Sequence, residues 1–218
     1  MSLVDNDGSL SAYAYADMGA ASATAAYLLN IAGDAQVVNH GDISAMARAE
    51  RGIVNVSVNY AYAIGVQDVS IYGTASVANY GSISATASAE GAITGATGIM
   101  AYGDYAVVSN AAGASIRATG EVDLFGGGFA VGISAGGNHG ADVVNDGDIG
   151  VYGHAYAFSE GDNGFYGAAQ ATGIEASAGM QGDVSVLNNG DIVAIALAED
   201  SVSFAQGGAG AVGINVYA

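Results

Sequence analysis

Acidic side chains return at a fixed place in this chain. Asp17, Glu50, Glu90 and Glu121 each stand eleven residues after an asparagine (Asn6, Asn39, Asn79 and Asn110), and Glu199 does the same after Asn188. If such carboxylates stack on neighbouring strands, they lie about 5 Å apart. Coulomb's law then sets roughly 1 kcal/mol of repulsion per pair in water, and more where water is partly excluded. A hard cation such as calcium, which takes oxygen ligands, would relieve it, so Asp17, Glu50, Glu90 and Glu121 are calcium candidates. The plainer expectation is favoured: the acids splay into solvent at a strand end and keep the chain soluble. The Gly-Gly-x-Gly-x-Asp calcium repeat is not present in register. Asp146 and Asp148 lie in "VNDGDIG" without the closing glutamate of an EF-hand loop.

Other reactive groupings are sparse. His40, His139 and His154 lack metal-ligand spacing, and without cysteine there is neither a thiolate site nor a disulfide. No Gly-x-Ser-x-Gly elbow occurs, and nothing marks "GGGFAVG" at 126–132 as a phosphate loop. Arg48, Arg51 and Arg117 are too few and too scattered to act as base and uronate clamp of a polysaccharide lyase. A glycoside hydrolase needs only two carboxylates. Glu160 and Asp162 are the acid pair standing outside the repeat, and a solvated loop is their expected place. The chain is read as non-enzymatic, with no cofactor.

Composition narrows the partners. The 218 residues include 35 Gly, no Pro, no Cys, no Trp, and 21 acids against three Arg, for a net charge of −18. Nothing is available to neutralise phosphates, which argues against nucleic acid. The same field repels anionic membranes and anionic substrates. No apolar run approaches the roughly 18 residues of a membrane helix, so insertion of this segment in a membrane is not expected. No basic-then-apolar leader opens the chain. Met1-Ser2-Leu3 runs straight into a repeat, which leads us to expect a segment of a longer protein. Half of the residues are apolar and regularly placed, which argues against disorder.

The elements that must position these groups are repeats. Copies start at Asn6, Asn39, Asn79, Asn110, Asn145 and Asn188, spaced by 33, 40, 31, 35 and 43 residues. A valine precedes each Asn by two (Val4, Val37, Val77, Val108, Val143, Val186). Leu10, Ile43, Ile83, Ile149 and Ile192 follow by four, and alanine dominates at six, eight and ten. Restricted positions share one parity and the others vary: Tyr13 and Tyr15, Met46 and Arg48, Thr86 and Ser88, Arg117 and Thr119. A period of two is a strand with one face inward. Alanine would also suit a helix, but the 3.6-residue spacing is absent. A second block recurs as "ATGIMA", "AVGISA", "ATGIEA" and "AVGINV". Each unit therefore carries two to three short strands that cannot bury their own face unless units stack. The expected fold is all-β: a single right-handed parallel β-helix over 1–218, of about six irregular rungs and roughly 29 Å tall. The six asparagines should form an inward ladder, amide over amide. The glycine after each should supply the torsions of the bend. In the fourth copy that glycine slips to Gly113, where the turn should differ.

Units such as "VANYGSISA" and "VVNDGDIGV", alternating with the Gly-Ile blocks, resemble the passenger regions of bacterial autotransporter adhesins and haemagglutinin-like exoproteins. The resemblance covers residues 4–218 and implies secretion, cell-surface display and adhesion to a host glycan or protein. Loops 51–60 and 158–170 are the expected contacts, and exposed end rungs imply end-to-end association. Outward Tyr13, Tyr15 and Tyr152 form a candidate apolar patch, while Ile195 and Leu197 are read as surface that flanking units cover. The rival is a carbohydrate-active β-helix, a hydrolase or tailspike. Ice binding would need a threonine ladder that the outward positions lack. A trimeric adhesin head fits the long, irregular period badly.

Overall fold

The computed structural model describes residues 1–17, 19–50, 59–90, 92–123, 126–157, 166–179, 182–200 and 206–218. Among the described residues, strands follow one another with no helix between them: β1 (Ser2–Asn6), β2 (Ser9–Ala16), β3 (Ala20–Asn30), β4 (Ala35–Asn39), β5 (Asp42–Ala49), β6 (Asn59–Ser70), β7 (Thr74–Asn79) and β8 (Ser82–Ala89). Then come β9 (Ala92–Asn110), β10 (Ser115–Val122), β11 (Gly126–Asn145), β12 (Asp148–Ala157), β13 (Tyr166–Ala178), β14 (Asp183–Asn188), β15 (Ile192–Asp200) and β16 (Gln206–Tyr217). They form two parallel sheets. One has six strands, in the order β15-β12-β10-β8-β5-β2, and the other has ten. The larger sheet joins the short strands ending in asparagine to the strands carrying the Gly-Ile blocks, and β9 and β11 contribute to both.

Pairing is in register, one repeat apart. Asn6 lies beside Asn39, Asn39 beside Asn79, and so on through Asn110, Asn145 and Asn188. Leu10, Ile43, Ile83, Ile116, Ile149 and Ile192 line up the same way across the smaller sheet. This arrangement of stacked repeats is consistent with a parallel β-solenoid.

The period of two is what buries the core. In β5 and β8, every second residue is buried and its neighbours face outward. Isoleucines (Ile43, Ile83, Ile116, Ile149), valines (Val37, Val77, Val108, Val143) and columns of alanine fill the interior. Small alanines let facing strands approach closely, as tight packing requires. At the Gly-Ile block the alternation breaks, because Gly98 and Ile99 are both buried. A Cβ on Gly98 would strike Ile116 and the carbonyl of Gly132; one on Gly132 would strike Ile149 and the carbonyl of Gly173. Glycine recurs there because the isoleucine column of the opposite sheet leaves no room. The first copy holds Ala25 at that place, between the aligned pairs Thr24–Ile64 and Ala26–Val66.

The turn glycines follow a different logic from the one expected. Among the described residues, left-handed glycines are Gly19, Gly33, Gly113 and Gly126. Gly41, Gly81 and Gly190 therefore need no unusual torsion. A Cβ on each would instead collide with the carbonyl oxygen of Gly8, Gly41 and Gly147, respectively. Close approach of stacked turns demands glycine, not φ. Gly113 is the exception, at φ +82°. Its turn carries two more residues than its neighbours', yet Ser115 still aligns with Ser82 and Asp148.

Candidate functional site

The asparagine column runs through the interior of the corner between the two sheets. Asn6 Nδ2 donates to Asn39 Oδ1, Asn39 to Asn79, Asn79 to Asn110 and Asn110 to Asn145, each at 2.8 Å; Asn145 donates to Asn188 at 2.7 Å. In Asn6, Asn39, Asn79, Asn145 and Asn188 the second amide hydrogen goes to the carbonyl of the glycine two residues on, as in Asn39 to Gly41 at 3.0 Å and Asn145 to Gly147 at 3.0 Å. A side-chain amide has two donors, and this geometry uses both. The residues between are fully buried: Asn39, Asn110 and Asn145 are each 0% exposed. The column is structural, and it fixes the phase of both sheets.

The acidic column is partly displaced from its expected membership. Glu50 N–H donates to Ala16 O, Glu90 N–H to Ala49 O, and Asp123 N–H to Ala89 O. The in-register set is therefore Asp17, Glu50, Glu90 and Asp123. Glu121 is corrected out of it: it pairs beside Ser88 and His154, because the two extra residues of the Gly113 turn shift the fourth copy. The donors do not converge as calcium requires. Among the described residues, the group close enough to share an ion is Asp5, Asp7 and His40, exposed and within 4.8 Å of one another. Glu50 is engaged elsewhere, by Arg48 at 2.9 Å and by the Tyr15 hydroxyl, which donates to it at 2.7 Å. The carboxylates of Asp17 and then Glu50 hold the Tyr15 hydroxyl protonated well above the usual tyrosine range.

The outward face of the six-stranded sheet carries the varied residues. Tyr13, Met46, Thr86, Thr119, Tyr152 and Ile195 follow one another down one column. The adjacent column reads Ser11, Ser44, Ser84, Arg117, Gly150 and Val193. Two depressions of about 570 and 270 Å³ meet over Gly150 and share Arg117, Gly150 and Val193 in their walls. His154 stacks on Tyr152 with ring centroids 6.1 Å apart. His40 is exposed and stacks on Tyr80 at 4.8 Å, and His139 lies 3.3 Å from Asp104. Tyr13 and Ile195 are 65% and 50% exposed, so this face is apolar at both ends of the stack. The expected contact loops lie largely in 51–58 and 158–165, outside the described residues, as do Arg51, Glu160 and Asp162.

No family model matches this chain, and no curated protein or solved structure matches it either. The site must therefore be argued from its own residues.

Two such residues escape the repeat pattern as read from the sequence. Asp68 points inward where the aligned column carries Leu28, Ala101, Ala135 and Ala176. It is 0% exposed, accepts from the Ser76 backbone N–H at 2.9 Å and leaves Oδ1 without a partner among the described residues. Burial, opposed by that one hydrogen bond, pushes its carboxyl up to about 6. The signal was available by aligning "AIGVQD" with "ATGIMA". Gly150 is the other; its signal is a glycine at outward parity inside a strand.

Proposed function

We propose that this chain is a non-enzymatic adhesive scaffold, a right-handed parallel β-helix from the passenger region of an autotransporter-like protein. It is displayed at or secreted from a bacterial surface and acts by multivalent contact. The observation that carries this reading is the division of labour along each strand. Inward positions repeat and stack from copy to copy, whereas outward columns vary, from Tyr13 through Met46 and Thr86 to Ile195 and from Ser84 through Arg117 to Val193. A frame held by its interior leaves the exterior free to be selected for contact. The right hand is the usual one for parallel strands joined by a crossover. The partner is a host-surface glycan or protein, and the charge of −18 disfavours nucleic acid. A second reading, a carbohydrate-active β-helix, draws on the depression where Arg117, Asp148 and Glu121 surround an open floor.

Beads coated with the chain, applied to cultured host cells and to immobilised glycans, test the proposal. Retention with the glycan left intact supports an adhesive scaffold. Shortened glycan products would move the assignment to an enzyme, and no retention on any surface would refute adhesion.

A further inference from the structure

Gly150 is the third residue of β12, an interior strand of the six-stranded sheet, at an outward position. Every other outward position of the six strands, from β2 to β15, carries a side chain. Glycine inside a strand weakens it relative to alanine, because it loses more backbone freedom on folding. Elsewhere in the interior strands, glycines such as Gly98, Gly120, Gly132 and Gly153 face a backbone carbonyl or an isoleucine that a Cβ would strike, and Gly95 and Gly136 face a tyrosine ring. The other open strand glycines, Gly208, Gly210 and Gly213, lie in β16 at the end of the ten-stranded sheet. At Gly150 nothing lies within 4 Å of where the Cβ would be, and φ is not left-handed. Packing does not require glycine here. The remaining reason for glycine in a strand is that something else must approach the backbone.

The walls say what that something is. On one side of Gly150 stands Arg117; on the other stands Val193. Among the described residues, Arg117 makes no ion pair, in a chain with 21 carboxylates and three arginines. Asp148 and Tyr152 flank Gly150 on its own strand, and Glu121 closes one end. The guanidinium offers five donors, the carboxylates offer acceptors, and Tyr152 with Val193 offers an apolar platform. The combined volume is in the range of small-ligand sites.

We infer that the trough over Gly150 binds a neutral hexose oligosaccharide, resting a ring on the glycine floor. Its hydroxyls accept from Arg117 and donate to Asp148 and Glu121, and its C–H face lies on Tyr152 and Val193. An anionic sugar is disfavoured, because the acids beside the trough outnumber its single cation and the whole chain repels negative charge. A basic peptide is disfavoured because the Arg117 guanidinium stands in the wall directly beside the glycine floor. The inference rests on the adhesive reading and gives it a ligand class and an address.

The test uses Gly150→Ile, whose side chain enters open space and suits a strand. The control is Ser44→Ile, which adds the same bulk in the same column outside the trough. Binding of cellohexaose, maltohexaose and mannohexaose is followed by amide chemical shifts and calorimetry, beside hexagalacturonate and hexalysine as the anionic and cationic probes. We expect saturable binding of at least one neutral hexaose, weakened tenfold or more by Gly150→Ile and within twofold of parent for Ser44→Ile, with unchanged circular dichroism. Arg117→Gln should weaken the same ligand severalfold. Binding unaffected by Gly150→Ile, binding of hexagalacturonate or hexalysine alone, or binding of none of the probes overturns the assignment. If coated beads still adhere to cells after Gly150→Ile, the trough falls while the adhesive reading stands; if parent beads never adhere, that reading falls independently.

Discussion

Asp68 gives the sharpest handle on the interior. Its ionised form has been carried from water into an alanine column, and its carboxyl titrates near 6 in place of 3.8. A raised acid means that the fold favours the protonated form. The penalty on the folded state is therefore absent below about pH 4, grows as pH rises toward 6, and is complete above it. A shift of that size corresponds to about 3 kcal/mol at most, and relaxation of the surrounding column with water penetration reduces it to about 1–2 kcal/mol. Asp68→Asn keeps the shape and still accepts from Ser76 N–H, but never ionises. Urea unfolding of parent and variant between pH 3.5 and 8 should show the variant about 1–2 kcal/mol more stable at pH 7.5 and equal to the parent at pH 3.5. Taking the difference between the two proteins cancels the general effect of the −18 charge. An offset that does not vary with pH, or a variant less stable than parent at pH 7.5, would refute the account of this carboxylate. Asp68→Ala, which extends the column of Ala101, Ala135 and Ala176, should show the same pH-dependent component.

Three further outcomes follow from the stack. Asn79→Ala strips Asn39 of its acceptor and Asn110 of its donor inside the core, so chemical denaturation should show a loss of about 2–4 kcal/mol; Asn188→Ala, at the exposed end, should lose less than about 1 kcal/mol. Gly81→Ala drives a Cβ into the Gly41 carbonyl and should lower the melting temperature by several degrees, whereas Gly8→Ala meets nothing and should leave it within about a degree. Half-covered strands at both ends of the stack, with Val212, Ile214 and Val216 at 41%, 42% and 48% exposure, should pair with a second copy. Small-angle scattering should then show length growing with concentration, and a strict monomer at high concentration counts against it.

The all-β, parallel architecture is legible in the sequence because a period of two repeated at the same phase leaves few alternatives. "VVNHGDISAMARA" and "VANYGSISATASA" announce their shared register letter by letter. What could not be read is set by the layer beneath. Glycine at Gly41 or Gly81 looks like a torsional need until the next turn's carbonyl is seen under it. Counting eleven residues from Asn110 reaches Glu121, but the structure counts from Ser115, and Asp123 takes the place in the column. Asp68 and Gly150 are single departures within otherwise regular strands. Their meaning depends on what stands beside them one repeat away, a distance of tens of residues in sequence and one strand spacing in space.

The turn at Gly113 shows how such a chain tolerates change in length. Two additional residues are swallowed between Asn110 and Ser115, and both flanking sheets continue as though nothing had been added. Corners thus act as expansion joints: insertions there lengthen a repeat without moving any facet out of step. The same joint is a natural port for grafting a foreign peptide onto the rod.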